Sequence, residues 1–387
     1  MPWKIKTAEQ QRQALAREMT RGTVSVTALC ARFGVSRTTA YKWAARYVAQ
    51  GVNGLVARQP GRPKQVSQAL ARWHARVLLA RQARPSWGAP KLRWWLERTH
   101  PGERVPCSRT LHRWLVAAGR VHQRRRKLRA GPGRPATVLA ERVNAVWTAD
   151  FKGDFYTKDG AWILALTVRD LYSRFMLTAH PVPRQSEPVV RRVFARLFRR
   201  FGVPQAIRVD RGTPFCGSGP YGLTALSLWW QRLGIEVQFV SRKRRLDNNA
   251  HEQMHRMLKA EAATPVSRSY GAQVRRLQRW CGRYNHDRPH EGLAGRTPAS
   301  LYRPSTRLLP RLVPPQYPLG CVTRRVRPHG YVKLDGSHRH IGRAFVGLTV
   351  AFTPYRQLYR VHFDSLLLGT IDPRLTRSGL VPVRRFR

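Results

Sequence analysis

Three acidic residues stand where separate segments of the chain can meet. Asp150 lies near the end of a segment that alternates like a strand, and Asp210 directly follows the short apolar segment 206–209. Glu252 lies in the first turn of a predicted helix. Because strand ends and helix starts converge at one edge of an α/β sheet, we expect the three carboxylates to meet there.

Clustered carboxylates raise one another's pKa unless cations neutralise them. Mg²⁺ prefers oxygen ligands, and two such ions about 3.5–4 Å apart can promote in-line phosphoryl displacement. We therefore predict that Asp150, Asp210 and Glu252 bind Mg²⁺ or Mn²⁺, with two ions. Each carboxylate alone has an ordinary alternative, since an Asp after a strand often accepts turn amides and a first-turn Glu favours the helix dipole.

The charge of the chain indicates the partner. Lys and Arg number 72 against 20 acidic residues, which gives a net charge of +52. A packed fold does not need this excess, and a polyanion would relieve the self-repulsion. We expect the partner to be a nucleic acid, bound with a steep dependence on salt. The helix pairs predicted at residues 26–43 and 66–118 favour double-stranded DNA. No stretch approaches the roughly 20 apolar residues that cross a membrane.

Residues 26–43 have the pattern of a DNA-binding helix pair. Gly34 lies at the predicted turn, and Ser36 is expected to cap a second helix that begins at Arg37. A small core is expected from Leu29, Val35, Ala40 and Trp43. The residues expected to face DNA from the start of the second helix are Arg37, Thr38, Thr39 and Lys42. A plain helical hairpin is the alternative.

A second helical unit and a linker continue the basic region. Residues 66–118 repeat the pattern with Ser108 as the expected N-cap, and Arg109, Thr110 and Arg113 would face DNA. The Gly-Arg-Pro segment around Arg62 suits a minor groove, although a solvated linker is the alternative. On the helix of Glu252, two cations share its face and are expected to contact a DNA phosphate: Arg256 and Lys259.

The pattern of the whole chain predicts several domains. Helix-turn-helix units are expected at 1–57 and 65–120, followed by a basic linker at 121–138. Three antiparallel strands and then alternating helix and strand predict a mixed α/β core at 139–305. Short alternating segments at 315–375 predict a small β-barrel.

Several segments together resemble the bacterial insertion-sequence transposases that are related to retroviral integrases. The three acidic motifs are Trp147–Gly153, Ile207–Gly212 and Asn249–Glu261, and the segments 284–293 and 297–302 are also similar. The resemblance runs from about residue 20 to 375. It implies a ribonuclease H-like core with a mixed five-stranded sheet, in which Asp150, Asp210 and Glu252 are the catalytic metal ligands.

The resemblance also implies an activity. Water would attack at the transposon end, and the released 3′-hydroxyl would then attack target DNA without a covalent protein intermediate. Because two DNA ends are paired for joining, a homo-oligomer on DNA is expected. This chain differs from the family's usual pattern at Arg211, where Asn is common, and in the loop 241–249 before the glutamate.

Two other interpretations stay open from the sequence. His251 to His255 match the H-E-x-x-H signature of zinc proteases, although the positions of the extended signature hold Leu258 and Glu261. The same helix-turn-helix units would also suit a DNA-binding repressor or a decayed transposase. Only an enzyme would need divalent metal to change DNA covalently.

The cysteines indicate the compartment. Five are scattered without a C-x-x-C pair, which argues against a disulfide scaffold and favours a reducing interior. The first residues lack an apolar run typical of a signal peptide. We therefore expect a bacterial cytoplasmic protein that associates with the nucleoid when bound to DNA.

Overall fold

The computed structural model describes residues 7–56, 68–121, 140–240, 249–375 and 379–382. The chain divides into two compact units, Met1–Ala71 and Arg72–Arg387. Arg62, nearly all of the predicted linker and the loop 241–248 lie outside the described residues. The domain boundaries given above stay predictions. None of the described helices is both long enough and apolar enough to cross a membrane.

The first unit contains a helix-turn-helix. Its helices are α1 (Ala8–Arg21), α2 (Val26–Phe33) and α3 (Arg37–Gln50). Gly34 ends α2 with φ of 64°, a left-handed conformation that favours glycine. The Ser36 hydroxyl accepts a hydrogen bond from the Thr39 amide at 3.2 Å and thereby caps α3. The predicted turn and cap are therefore confirmed.

The core of this unit differs from the prediction at one residue. Leu29 and Ala40 are fully buried, as expected, but Trp43 is only half-buried. The guanidinium groups of Arg12 and Arg46 lie 4.4 and 5.1 Å from the centroid of its ring. Cations attracted to the ring face therefore cover Trp43 where apolar packing was expected.

The second helical unit contains α4 (Gln68–Ala83), α5 (Ala89–Thr99) and α6 (Ser108–Ala117). Pro90 lies in the first turn of α5, where its missing amide proton costs no helical hydrogen bond. The predicted cap at Ser108 is wrong, because Ser108 is the first helical residue and Cys107 takes the cap position without a side-chain hydrogen bond to the helix backbone. The buried core of the unit includes Trp73, Val77, Leu92, Leu96 and Leu111.

A mixed sheet forms the centre of the second unit. Its strands are β1 (Val146–Tyr156), β2 (Trp162–Asp170), β3 (Met176–Val182), β4 (Ala206–Val209) and β5 (Glu236–Phe239). Among the described residues their order is β3-β2-β1-β4-β5. The first three pair antiparallel, whereas β4 is parallel to β1 and β5 is parallel to β4. This is the mixed five-stranded sheet that the resemblance implied.

Helices cover both faces of the sheet. They are α7 (Glu187–Phe201), α8 (Ala225–Arg232), α9 (Asn249–Leu258), α10 (Tyr270–His286) and the short α11 (Pro298–Leu301). Leu164 and Leu166 of β2 join the core formed with α7 and α8. Ala165, between them in sequence, joins the core formed with α9 and α10. The alternation along β2 therefore separates the two layers.

The C-terminal strands form an open sheet. The strands are β6 (Val322–Arg325), β7 (Tyr331–Leu334), β8 (Ser337–His340), β9 (Thr349–Tyr355), β10 (Leu358–Phe363), β11 (Leu366–Ile371) and β12 (Val381–Pro382). The larger sheet has the order β12-β11-β10-β9-β6, and β7 pairs only with β8 among the described residues. The short edge strands β6 and β12 do not pair with each other in this part of the chain, so the predicted barrel does not close.

Candidate active site

Asp150 projects from β1 toward the layer of α9. Trp147 and Ala149 face the core on the other side of the sheet, so the alternation directs Asp150 away from it. Asp150 lies directly opposite Thr167 of β2, and the side chains of such a pair share a face. The Asp150 side chain retains 26% of its exposure, and its Oδ1 accepts a hydrogen bond from the Phe151 amide at 2.8 Å.

Asp210 directly follows β4, the parallel neighbour of β1. It is exposed, and its Oδ1 accepts a hydrogen bond from the Gly212 amide at 3.2 Å. This is the ordinary turn contact that the sequence left open. It occupies one carboxylate oxygen and leaves Oδ2 available.

Gly212 contributes room for that carboxylate, a role that sequence reasoning missed. A Cβ at this position would lie 3.0 Å from Asp210 Oδ2 and 3.3 Å from Oδ1. The available signal was the glycine two residues after the strand-end aspartate. Glycine therefore permits the turn to fold back closely against Asp210.

Glu252 lies in the first turn of α9 and is exposed. The opposite side of the helix is anchored by Met254 and Leu258, which are fully buried against the α10 side of the sheet. Arg256 and Lys259 are exposed, as expected for the face of Glu252. Beyond Leu258 the helix continues as a π-helical turn, Lys259–Ala263.

The other two predicted ligands affect the protonation of Asp150. The pKa of Asp150 is raised from 3.8 to about 6, first by burial and then by the negative charge of Asp210. The charge of Glu252 raises this pKa further, while the Phe151 hydrogen bond and Lys152 lower it. The negative charges of Asp210 and Glu252 thus both oppose ionisation of Asp150.

Two buried histidines, His251 and His255 of the H-E-x-x-H match, lie beside Asp150. The Nε2 atoms of His251 and His255 are 3.1 and 2.8 Å from Thr167 Oγ1. His255 Nδ1 is 3.8 Å from Asp150 Oδ2. Burial lowers the pKa of His251 well below its ordinary value. Burial and the charges of Lys152 and Arg169 lower the pKa of His255 to about 4.

The contact between His255 and Asp150 is therefore not an ion pair at neutral pH, because the imidazole is uncharged there. The sequence signal for these histidines was their spacing of four residues, which places both rings on one side of α9. Their burial does not suit a zinc protease, since a catalytic zinc keeps one position open for water or substrate.

The predicted DNA-facing residues divide into two groups. Thr39 and Thr110 are half-buried; Thr39 takes part in the cap of α3, and the Thr110 hydroxyl lies 3.4 Å from the Cys107 sulfur. The exposed group consists of Arg37, Thr38, Lys42, Arg109, Arg113, Arg256 and Lys259. Exposure leaves these side chains accessible to a partner.

Three other aspartates of the core serve in turns and local contacts. Asp154 accepts a hydrogen bond from the Trp162 indole at 3.0 Å, and Asp159 accepts one from the Ala161 amide at 3.3 Å. Asp170 is fully buried and accepts hydrogen bonds from the Asn144 and Ser173 amides. Their hydrogen bonds account for these residues without a role in the site.

Family models match both helical and core regions. A helix-turn-helix domain matches residues 11–64 and a homeodomain-like domain matches residues 39–115. Integrase core domains match residues 140–245 and 233–298, which together include all three carboxylates. The chain thus carries an integrase core, the domain of a class of polynucleotidyl transferases. Helix-turn-helix domains ahead of that core are a combination that supports an integrase-core transposase.

Several retroviral structures are similar at low identity. The HTLV-2 integrase catalytic core domain in complex with magnesium is 12% identical, with a TM-score of 0.30, over 42% of this chain and 99% of that chain. The BIV integrase catalytic core domain is 18% identical, with a TM-score of 0.32, over 41% and 93%. A simian T-cell lymphotropic virus intasome in complex with the PP2A regulatory subunit B56 gamma is 14% identical, with a TM-score of 0.36, over 75% and 93%. The integrase core is therefore assigned from the family models and not from these structures.

Proposed function

We propose that this transposase cuts DNA at the ends of its element and joins those ends to target DNA, with Asp150, Asp210 and Glu252 as the ligands of two Mg²⁺ or Mn²⁺ ions. The observation that carries the proposal is that Asp150 lies on β1 and Asp210 directly follows β4, the parallel neighbour of β1. The charges of both Asp210 and Glu252 also raise the pKa of Asp150. Two carboxylates from distant parts of the sequence therefore act on Asp150.

The donor set fits these ions. All three side chains offer oxygen, the ligand type that Mg²⁺ and Mn²⁺ prefer. Their mutual repulsion is the condition that a bound cation relieves. When bound, the ions would lower the pKa of an attacking water and stabilise the leaving oxygen.

The chain's own residues set the positions of these ligands. Asp150 is fixed on a central strand, the turn that holds Gly212 orients Asp210, and buried Met254 and Leu258 hold the helix of Glu252. Exposed Arg256 and Lys259 continue along that helix and its following turn, and we expect them to bind a DNA phosphate beside the carboxylates.

The proposed reaction has two displacements. Water attacks a phosphorus at the transposon end, the bond from phosphorus to the 3′-oxygen breaks, and a free 3′-hydroxyl results. That hydroxyl then attacks a target phosphodiester, forms a new bond to phosphorus and releases the 3′-hydroxyl of the target strand. Both steps exchange phosphorus–oxygen bonds directly, so no covalent protein intermediate is needed.

Other parts of the chain would hold the DNA. We expect α3 and α6 to dock against transposon-end DNA through their exposed basic residues, since a recognition helix contacts bases from its first turns. Two ends must be held together for joining, so the active species would be a homo-oligomer on DNA.

The proposal is tested by following labelled DNA that carries the two ends of the element. The wild type should give nicked and joined products with Mg²⁺ and none with a chelator. Glu252→Gln should give none, because it removes a negatively charged ligand while keeping the side-chain size.

Glu236→Gln is the matched control. Glu236 is exposed at the start of β5 and pairs with Ala206, the first residue of β4. Asp210 follows the other end of that strand. This variant should form products as the wild type does. Salt-sensitive DNA binding without products in the wild type would favour a repressor or a decayed transposase, and products from Glu252→Gln would show that the ligand assignment is wrong.

A further inference from the structure

The face of Asp150 toward α9 carries nitrogen ligands as well as carboxylates. His251 and His255 are buried there, 2% and 9% exposed, with ring centroids 5.0 Å apart. One carboxylate oxygen of Asp150 and one ring nitrogen from each histidine all lie within 4.8 Å of one another. This group shares only Asp150 with the all-oxygen site proposed for Asp150, Asp210 and Glu252.

Thr167 determines which nitrogens are free. Its hydroxyl has one proton, which it donates to the Asp150 carbonyl oxygen at 2.9 Å. The same hydroxyl oxygen therefore accepts hydrogen bonds from the two histidines, whose Nε2 atoms lie 3.1 and 2.8 Å away. Each ring carries its proton on Nε2 in this arrangement, so each Nδ1 keeps its lone pair.

The lone pair of His255 Nδ1 faces another acceptor. It lies 3.8 Å from Asp150 Oδ2, a pair of acceptors that a cation between them would stabilise. In a tetrahedral zinc site with bonds of roughly 2.1 Å, neighbouring ligand atoms are about 3.4 Å apart. Small rotations of the Asp150 and His255 side chains would bring these two atoms from 3.8 Å to that spacing.

The surrounding contacts also suit a metal. A ligating histidine almost always donates its second ring N–H to an oxygen that fixes its orientation, and Thr167 Oγ1 is such an oxygen for both rings. Two histidines and one carboxylate are a recurring ligand set for divalent transition metals, whereas Mg²⁺ favours oxygen alone.

We propose that Asp150, His251 and His255 form a second metal site, which binds Zn²⁺ in preference to Mg²⁺. The buried rings and the partly exposed Asp150 make it a closed site that an ion enters from the side of the carboxylate. Zn²⁺ there engages Asp150 and withdraws it from the acidic site. If the proposed transposase reaction is also correct, Zn²⁺ inhibits that reaction.

Binding is tested on the full-length chain without a histidine tag, with Co²⁺ as the spectroscopic substitute for Zn²⁺. We expect visible absorption bands of nitrogen-bound Co²⁺ at one equivalent, which Zn²⁺ abolishes and excess Mg²⁺ does not. His251→Gln and His255→Gln should each weaken binding by more than about tenfold, since even disturbing a ligand's supporting group costs 10–100-fold. Absence of these bands in the wild type would overturn the proposal without any variant.

Two controls separate this site from the acidic one. Glu252→Gln should bind Co²⁺ within about twofold of wild type, because it keeps both histidines and Asp150. His362→Gln, which removes a histidine from the C-terminal strand β10, should do the same. The proposal is overturned if Glu252→Gln removes the bands while the histidine variants keep them, since Co²⁺ would then occupy the carboxylates alone.

Folding and catalysis are measured separately. Circular dichroism identifies a variant that fails to fold, and Thr167→Val then provides an independent test, with binding weakened about 10–100-fold because both rings lose their oxygen partner. Unchanged binding by a folded Thr167→Val would contradict the proposed ligand orientation. Because Co²⁺ binding needs no DNA, the site can be established or rejected even if no transposase products form.

Discussion

At the scale of single residues, the main feature is a carboxylate whose surroundings oppose its charge. Asp150 is partly buried, near two other carboxylates and beside two neutral histidines. The charge of such a carboxylate lowers the free energy of unfolding of the metal-free chain. Binding of a cation removes that cost. Such unfavourable placement is common at functional sites.

We predict that Asp150→Asn stabilises the metal-free chain at pH 7.5. The folded-state pKa of about 6 lies above the ordinary 3.8, so between these values the folded chain binds more protons than the unfolded chain. The contribution of Asp150 to stability therefore falls as pH rises through that window. The gain on substitution should be at most about 3 kcal/mol, and it should vanish near pH 4.

Thermal unfolding with a chelator at both pH values measures this gain. Asp154→Asn, an exposed aspartate on the same strand, should show little change at either pH. A metal-free Asp150→Asn chain that is no more stable than wild type at pH 7.5 would contradict the prediction.

Gly212→Ala tests whether glycine is needed at this position to leave space for the Asp210 carboxylate. The new Cβ would lie 3.0 Å from Asp210 Oδ2, so the carboxylate must shift. We expect Mn²⁺ affinity to fall by roughly 10-fold, as when a ligand loses its support, with the melting temperature little changed. Gly282→Ala, where a Cβ meets nothing within 4 Å, is the control; equal Mn²⁺ affinity in the two variants would show that Gly212 does not support Asp210.

At the scale of elements, α3 combines a cap with an exposed basic side. Thr39 takes part in the cap, whereas Lys42 is exposed and its ammonium lies 5.9 Å from the Trp43 ring centroid. Lys42 is therefore a better test of DNA contact than Thr39, because its removal leaves the start of the helix intact.

We predict that Lys42→Ala weakens DNA binding and makes it less dependent on salt. If Lys42 neutralises one phosphate, the slope of log K against log salt should become shallower by about 0.9. Fluorescence anisotropy at several salt concentrations measures the slope, and Glu9→Gln on α1 serves as the exposed control. A Lys42→Ala slope equal to that of wild type would remove this residue from the DNA interface.

Sequence alone predicted those elements whose signals are local. Gly34 and Ser36 marked the turn and cap of the first helix pair, and residues 206–209 form the predicted strand before Asp210. The expected strand order put Asp150 and Asp210 on neighbouring strands, and β1 and β4 are indeed parallel neighbours. Other features depend on distant partners: arginines cover Trp43, and Thr167 of β2 orients the two histidines of α9. The predicted barrel failed for the same reason. Alternation within each strand does not show whether the edge strands β6 and β12 pair with each other.

At the scale of the whole molecule, one acidic residue joins three segments of the second unit. Glu261, in the turn after α9, pairs with Arg288 at 2.8 Å and accepts a hydrogen bond from the Trp280 indole at 2.8 Å. The Ser86 hydroxyl, ahead of α5, also donates to Glu261. The second helical unit is thus connected directly to the helix that carries Glu252.

Glu261→Gln should destabilise the second unit by about 3 kcal/mol, because it leaves the Arg288 guanidinium, whose side chain is only 5% exposed, without its anionic partner. Chemical denaturation measures the loss. Glu97→Gln breaks an exposed pair with Arg93 four residues away and should cost less than about 1 kcal/mol. Equal effects from the two variants would mean that Glu261 does not hold these segments together.

We propose that carboxylates from β1, the end of β4 and α9 form one metal site. Electron paramagnetic resonance of free Mn²⁺ during titration of the full chain tests it most directly, with Asp150→Asn, Asp210→Asn and Glu252→Gln compared with Glu236→Gln. We predict that each of the three single variants weakens Mn²⁺ binding by more than about tenfold and that the control binds as wild type does. If Asp210→Asn or Glu252→Gln binds Mn²⁺ as tightly as the wild type, the three carboxylates do not form one metal site.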